Sequence, residues 1–209
     1  MNDEQKKDVR DEPTPWYGLP FVALGHLFWI WLGLIAFEWI GFDVGVHAKR
    51  VFITELTLLQ ADHSQLYGRL MHWLAMGIKA LTPLLTLSFD GAFAFLQVYW
   101  QGAVYVSLAL FLRVLLLGFC WPLFLLAVFL GAFDGLVSRQ RRTAFMGRET
   151  ETLHYYSRKW LPMVVIATSY LWLFIPGVWA VSPMWMLLPG AALTGVLVRS
   201  SVASYKKYL

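Results

Sequence analysis

The residues best suited to chemistry gather between Gly131 and Lys159. Asp134, Glu149 and Glu151 stand there among Arg139, Arg141, Arg142, Arg148, Arg158 and Lys159, with His154 close behind. Carboxylate and imidazole are the groups that hold metals or move protons, and Glu151 and His154, three apart, share a face if the segment is helical. The set has no second histidine and no nearby cysteine, so a salt-bridged cytoplasmic helix is the expectation and a metal centre is not. His26 lies in an apolar stretch, where a lone histidine more often hydrogen-bonds to a neighbouring helix than relays protons. His47, His63 and His72 show no metal spacing.

A second pattern is the repeated triplet Phe89-Asp90-Gly91 and Phe133-Asp134-Gly135. Paired aspartates do the work of intramembrane aspartyl proteases, but the Gly-x-Gly-Asp signature of those enzymes is missing. The topology derived below also puts the two carboxylates on opposite sides of a membrane, too far apart to share a proton. There is no Walker A run, Gly-x-Ser-x-Gly elbow or His-Glu-x-x-His. The expectation is a non-enzymatic protein with no cofactor and no metal.

The elements that carry these residues are dictated by composition. Of 209 residues, 58% are hydrophobic and 14% charged, against roughly 25% charged in a soluble domain. That much apolar surface requires a bilayer, and an aromatic content of 17% suits rings that settle at headgroup level. The expected fold is an all-α integral membrane protein of about four spans, forming one domain. The single cysteine, Cys120, excludes an internal disulfide and a thiolate cluster. Residues 1–18 carry five acids beside Lys6, Lys7 and Arg10; so acidic a start, followed by so long an apolar stretch, reads as an uncleaved anchor.

The first span is expected over 19–40, long enough to cross a core of roughly 30 Å. Glu38 lies near its end, where it is expected to reach headgroups or water. Residues 41–102 are mixed, and are expected as a helical segment in the periplasm or on the membrane surface. The second span is expected over 103–133, with Arg113 snorkelling outward from the start of the fully apolar stretch 114–133 and Pro122 bending the helix. A basic cytoplasmic loop over 134–159 follows. The third and fourth spans, 160–178 and 183–198, form a C-terminal hairpin, and 199–209 is a tail. Gly131 and Gly135, and Ala191 and Gly195, are each four apart and allow close helix approach or a homo-oligomer.

Orientation follows from Lys and Arg. Three stand in the N-terminal tail, six between 134 and 159 and three after Val198, while 41–102 holds four over a longer stretch and the turn near Val181 none. Four spans with both termini in the cytoplasm satisfy the positive-inside rule. One added span over 66–87 would put either the N-terminal tail or the basic loop on the wrong side.

The run from Phe133 through Arg139, Arg141 and Arg142 to Gly147-Arg148-Glu149-Thr150 and His154 resembles the DUF4400 family, inner-membrane proteins of integrating conjugative elements and conjugative plasmids. Thr150 stands where that family commonly has Ser, and His154 precedes Tyr155 rather than following a tyrosine. The resemblance implies a non-enzymatic accessory of conjugative DNA transfer in a bacterial inner membrane, docking on a TraD-like coupling ATPase of a type IV secretion system. Asp134, Arg139, Arg141, Arg142, Arg148, Glu149 and His154 would form the partner surface. Direct contact of this basic loop with DNA phosphates ranks below protein contact. The other classes open to the sequence are a small transporter or channel subunit, and an entry-exclusion or immunity protein acting by contact.

Overall fold

A computed structural model describes residues 18–41, 43–62, 64–144, 151–179 and 181–204; within these, the side chains of residues 19, 85, 92, 142–144 and 151–154 are not described. Among these residues the regular structure is helical throughout: α1 (Leu19–Gly41), α2 (Val46–Asp62), α3 (Ser64–Leu85), α4 (Leu96–Phe119), α5 (Trp121–Ala144), α6 (Glu151–Val178) and α7 (Pro183–Ala203), with a short 3-10 turn at Gly91–Phe93 before α4. The all-α membrane fold read from composition is what forms.

Among the described residues, four stretches are long and apolar enough to cross a membrane: Pro20–Gly41, Leu96–Arg141, Tyr155–Val178 and Pro183–Ala203. Helix α3 has 22 residues but carries Arg69 and Lys79 and is not among the four. The fourth span, expected to be brief, runs on to Ala203 and has 21 residues.

Two boundaries differ from the sequence reading. The second span begins at Leu96 and breaks at Cys120, giving α4 and α5. Pro122 accounts for the break, because it has no N–H for the carbonyl four residues back; the chain turns there with Leu123 N–H on the Cys120 carbonyl at 3.0 Å. At about 1.5 Å per residue, α4 and α5 together run about 70 Å, more than twice a hydrocarbon core. The segment 134–159, expected as a loop, is helical up to Ala144 and again from Glu151. Arginine, glutamine and alanine are good helix formers, and the Ser-Arg-Gln-Arg-Arg-Thr-Ala run simply extends α5 past its apolar part.

Contacts set the directions. Helix α1 runs antiparallel to α4, with Trp31 Nε1–H donating to Ser107 Oγ at 2.8 Å and Trp39 edge-on to Tyr99. Helix α2 runs the same way as α4: Gly45 lies against Val98 and Gly102, and Phe52 lies beside Tyr105. Helix α3 returns antiparallel, with Trp100 Nε1–H on the Leu84 carbonyl at 2.7 Å and Gly77 beneath the Phe111 ring. Within the segment 41–102, α2 and α3 therefore form a helical hairpin packed lengthwise on α4, whose first turns the segment also contains. A core of Leu59, Leu74, Leu108, Leu112 and Trp172 joins α2, α3, α4 and α6.

Candidate functional site

At the charged end of α5, Asp134 Oδ2 takes an N–H from Arg199 Nε at 2.6 Å, with both side chains about half exposed. The small residues make this pair reachable. A Cβ on Gly131 would run into the Gly195 carbonyl, and one on Gly135 would stand 2.8 Å from the Arg199 carbonyl and from Val202 Cβ. The α5 and α7 backbones thus lie side by side in the same direction, a close approach that only small residues permit. Ala191 is buried one turn earlier on α7, and Gly190 lies against Thr168 of α6.

Of the residues assigned to a partner surface, Arg139 is half-buried on α5 and Arg141 is exposed one half-turn later. Arg158 and Lys159 are exposed on α6. The side chains of Arg142 and His154, and the whole of Arg148 and Glu149, lie outside what the structure describes. Arg199, counted in the sequence only as a tail charge, proves to be the partner of Asp134. The aspartate of the other Phe-Asp-Gly triplet, Asp90, is exposed ahead of α4, so the whole length of α4 separates it from Asp134. His26 packs edge-on to Tyr170 of α6, ring centroids 5.7 Å apart. Among the described residues no group of three or more His, Cys, Asp or Glu is placed to hold a metal.

A second cluster lies in the interior, and here two sequence expectations are corrected. Arg113 does not snorkel outward; it is 1% exposed. Its Nε–H and Nη2–H both donate to Glu55 Oε1, at 2.9 and 2.7 Å, and Nη1–H donates to the Leu173 carbonyl at 3.2 Å. The Arg113 carbonyl in turn accepts Trp172 Nε1–H at 3.1 Å. The cause is tertiary: α2 packs along α4 and brings Glu55 to a position 58 residues away in the chain. Glu55 Oε2 is buried with no hydrogen-bond partner among the described residues.

Glu38 does not reach headgroups either; it is 2% exposed. Gly45, with φ of 78°, turns the chain after α1 so that α2 starts beneath the Glu38 carboxylate. Oε1 accepts Gly45 N–H at 3.1 Å and Ala48 N–H at 2.9 Å, and Oε2 lies 2.8 Å from His47 Nδ1. A carboxylate on the free N–H groups of a helix start is favoured both by hydrogen bonding and by the helix dipole. Here it is supplied by the preceding helix rather than by a local cap residue. Gly102 lies against the same turn, with its Cβ position 3.2 Å from Gly45 N and 3.7 Å from Glu38 Cγ.

The sequence did contain a signal for the inner pair. Glu55 and Arg113 are each a lone charge in an apolar stretch, and they are of opposite sign. No local rule says which charge meets which.

Residues 86–206 match the model of a family described as IncC plasmid conjugative DNA transfer protein DtrJ-like. The chain belongs to the DtrJ-like family. The match spans more than half of the chain and takes in α4 to α7. No curated protein and no solved structure matches the chain. The conjugative class read from the basic segment is thereby supported, while the family shown carries the DtrJ-like description and not the DUF4400 name. Arg113, the α5 and α7 glycines and the charged end lie within the DtrJ-like region. Glu38, His47 and Glu55 lie ahead of it, so the α1 to α3 segment supplies the acid that neutralises a DtrJ-like-region arginine.

Proposed function

We propose that this DtrJ-like chain is a non-enzymatic inner-membrane accessory of conjugative DNA transfer, and that its charged end docks on a TraD-like coupling ATPase of a type IV secretion system. One observation carries the reading. The basic residues Arg139, Arg141, Arg158 and Lys159 stand on helices rather than on a loop, next to a close α5 and α7 contact braced by Asp134 and Arg199. Cations on a preformed helical surface lose little further freedom when a partner binds. An acidic surface on a cytoplasmic ATPase is the complementary partner, and Arg142, Arg148, Glu149 and His154 belong to the same stretch of chain.

The test is capture and transfer measured together. Arg141→Glu and Lys159→Glu, singly and combined, should accumulate in the membrane at wild-type level yet lose both copurification of the ATPase and DNA transfer. Truncating an anchor at an interface commonly costs about 2 kcal/mol or more, roughly thirtyfold in affinity, and reversal of charge costs more. Wild-type transfer by the double variant would rule the docking surface out.

A small transporter or channel subunit is the second reading, favoured by the buried ionisable residues Arg113, Glu55 and Glu38. Against it, Arg113 is closed in by Glu55 and by the Leu173 carbonyl. The cavity beside it is about 10 Å³, on the scale of one water rather than a solute.

A further inference from the structure

Helix α3 has two opposite faces. Leu70, Leu74, Ile78 and Leu81 pack inward on the core, while Arg69, His72, Met76 and Lys79, at spacings of three, four and three, form one exposed stripe along the outside. Lys49 and Arg50 are exposed on the neighbouring α2.

This stripe runs at the depth of a membrane span. From α1, Trp39 meets Tyr99 of α4 and Trp31 meets Ser107; from α3, Leu84 meets Trp100 and Gly77 meets Phe111. Lys79 is therefore level with the middle of α1. The outward side chains of α1, among them Phe21, Leu24, Phe28 and Trp29, are exposed and apolar, and lipid accounts for them. It does not account for the α3 stripe, because a charge facing hydrocarbon is costly and ionisable residues at that depth almost always face protein or a water-filled space.

We infer that the stripe is a docking face for a membrane-spanning helix of a partner protein, one that carries a carboxylate level with Lys79. A helix satisfies its own backbone in a bilayer, and a carboxylate answers the charge of the stripe. Charge selects against a second copy of this chain. Among the described residues Glu38 and Glu55 are buried, Asp62 and Asp134 accept from Ser182 and Arg199, and Asp43 and Asp90 lie outside the helices. Met76 and Trp73, beside the cations, are 54% and 48% exposed. Methionine, an aromatic ring and arginine together suit a protein interface better than a phosphate backbone.

The test uses the full-length chain in cells that carry out transfer. Lys79→Leu removes an exposed charge and should leave the protein folded, with its melting temperature in detergent unchanged or raised. Partner affinity should fall about thirtyfold or more, as when one member of a buried charge pair is truncated, and DNA transfer should fall with it. Lys79→Arg should keep transfer. Lys79→Glu should abolish it, and selection for recovery should return an acid-to-base change inside a membrane segment of another transfer protein. A photoreactive amino acid at Met76 reads the contact directly: its adduct should be protease-sensitive and should disappear in Lys79→Leu, or in Lys79→Gln if the leucine variant does not accumulate. Wild-type transfer by Lys79→Leu overturns the docking face and leaves the lysine facing lipid. Suppressors confined to this chain, or an adduct with a second copy of it, overturn the proposal as well. A nuclease-sensitive adduct does the same and makes the stripe a DNA contact.

Discussion

Arg113 and Glu55 meet through two N–H donors on one carboxylate oxygen, in an interior formed by α2, α4 and α6. Taking two charges out of water is expensive, and the attraction between them repays it only while both are present. The pair therefore acts less as a source of net stability than as a condition on how α2 may lie against α4: a slip of one residue would strand a charge in an apolar core.

Removal of one partner should accordingly be far worse than removal of both. Arg113→Met or Glu55→Met leaves an uncompensated buried charge and should cost about 3 to 5 kcal/mol; the Arg113→Met, Glu55→Met double variant should recover much of that. Unfolding in detergent, run as a double-mutant cycle, measures the coupling. Additive losses would show that the two side chains do not depend on each other.

Glu38→Ala should release the start of α2. It leaves the N–H groups of Gly45 and Ala48 without their acceptor, and a buried donor left unsatisfied costs about 1 to 3 kcal/mol. Amide exchange in residues 45–50 should speed up while α5 to α7 stay protected. Unchanged exchange at Ala48 would mean that the carboxylate does not cap the helix.

The glycines should rank by what stands over them. Gly131→Ala forces α5 and α7 apart, because the new methyl meets the Gly195 backbone, which cannot yield as a side chain end can; overpacking of this kind costs about 1 to 3 kcal/mol. Gly118→Ala enters open space and should be neutral or stabilising by up to about 1 kcal/mol through helix propensity. Equal melting temperatures for the two variants would contradict the close α5 and α7 contact.

Asp134→Asn or Arg199→Gln should hardly change unfolding, since a pair half exposed to solvent contributes about 0 to 1 kcal/mol. Each should nevertheless reduce capture of the coupling ATPase if the pair braces the docking surface. A loss of stability above that range, with capture intact, would make the bridge structural only.

Labelling of single cysteines in a Cys120→Ala background tests the topology. With an impermeant thiol reagent in cells whose outer membrane alone is permeable, Ser88→Cys, exposed just ahead of α4 at the end where α1 finishes, should react and Ser138→Cys should not; the opposite result would reverse the orientation. Ser157 is 3% exposed and should resist the reagent from either side, which makes it a control rather than a reporter.

The four spanning stretches, the helical class and the break at Pro122 were legible in the residues themselves, because each rests on a local cause: the length of an apolar run, the spread of charge, a missing N–H. The close packing at Gly131 and Gly195 was half legible, since small residues four apart mark where helices can approach but not which helix comes. Glu38 and Arg113 were misread for one shared reason. Both were placed by distance along their own helix from its end, where a charge reaches water, while their surroundings are set by α2, which folds back along α4 and covers them. The helical course of residues 134–144 was also missed, because basic residues were read for the membrane rule they obey and not for their helix propensity. Which charge neutralises which is a matter of how helices pack, over separations of 58 residues for Glu55 with Arg113. Periodicity carries no information at that range, so the pairing belongs to the tertiary structure alone.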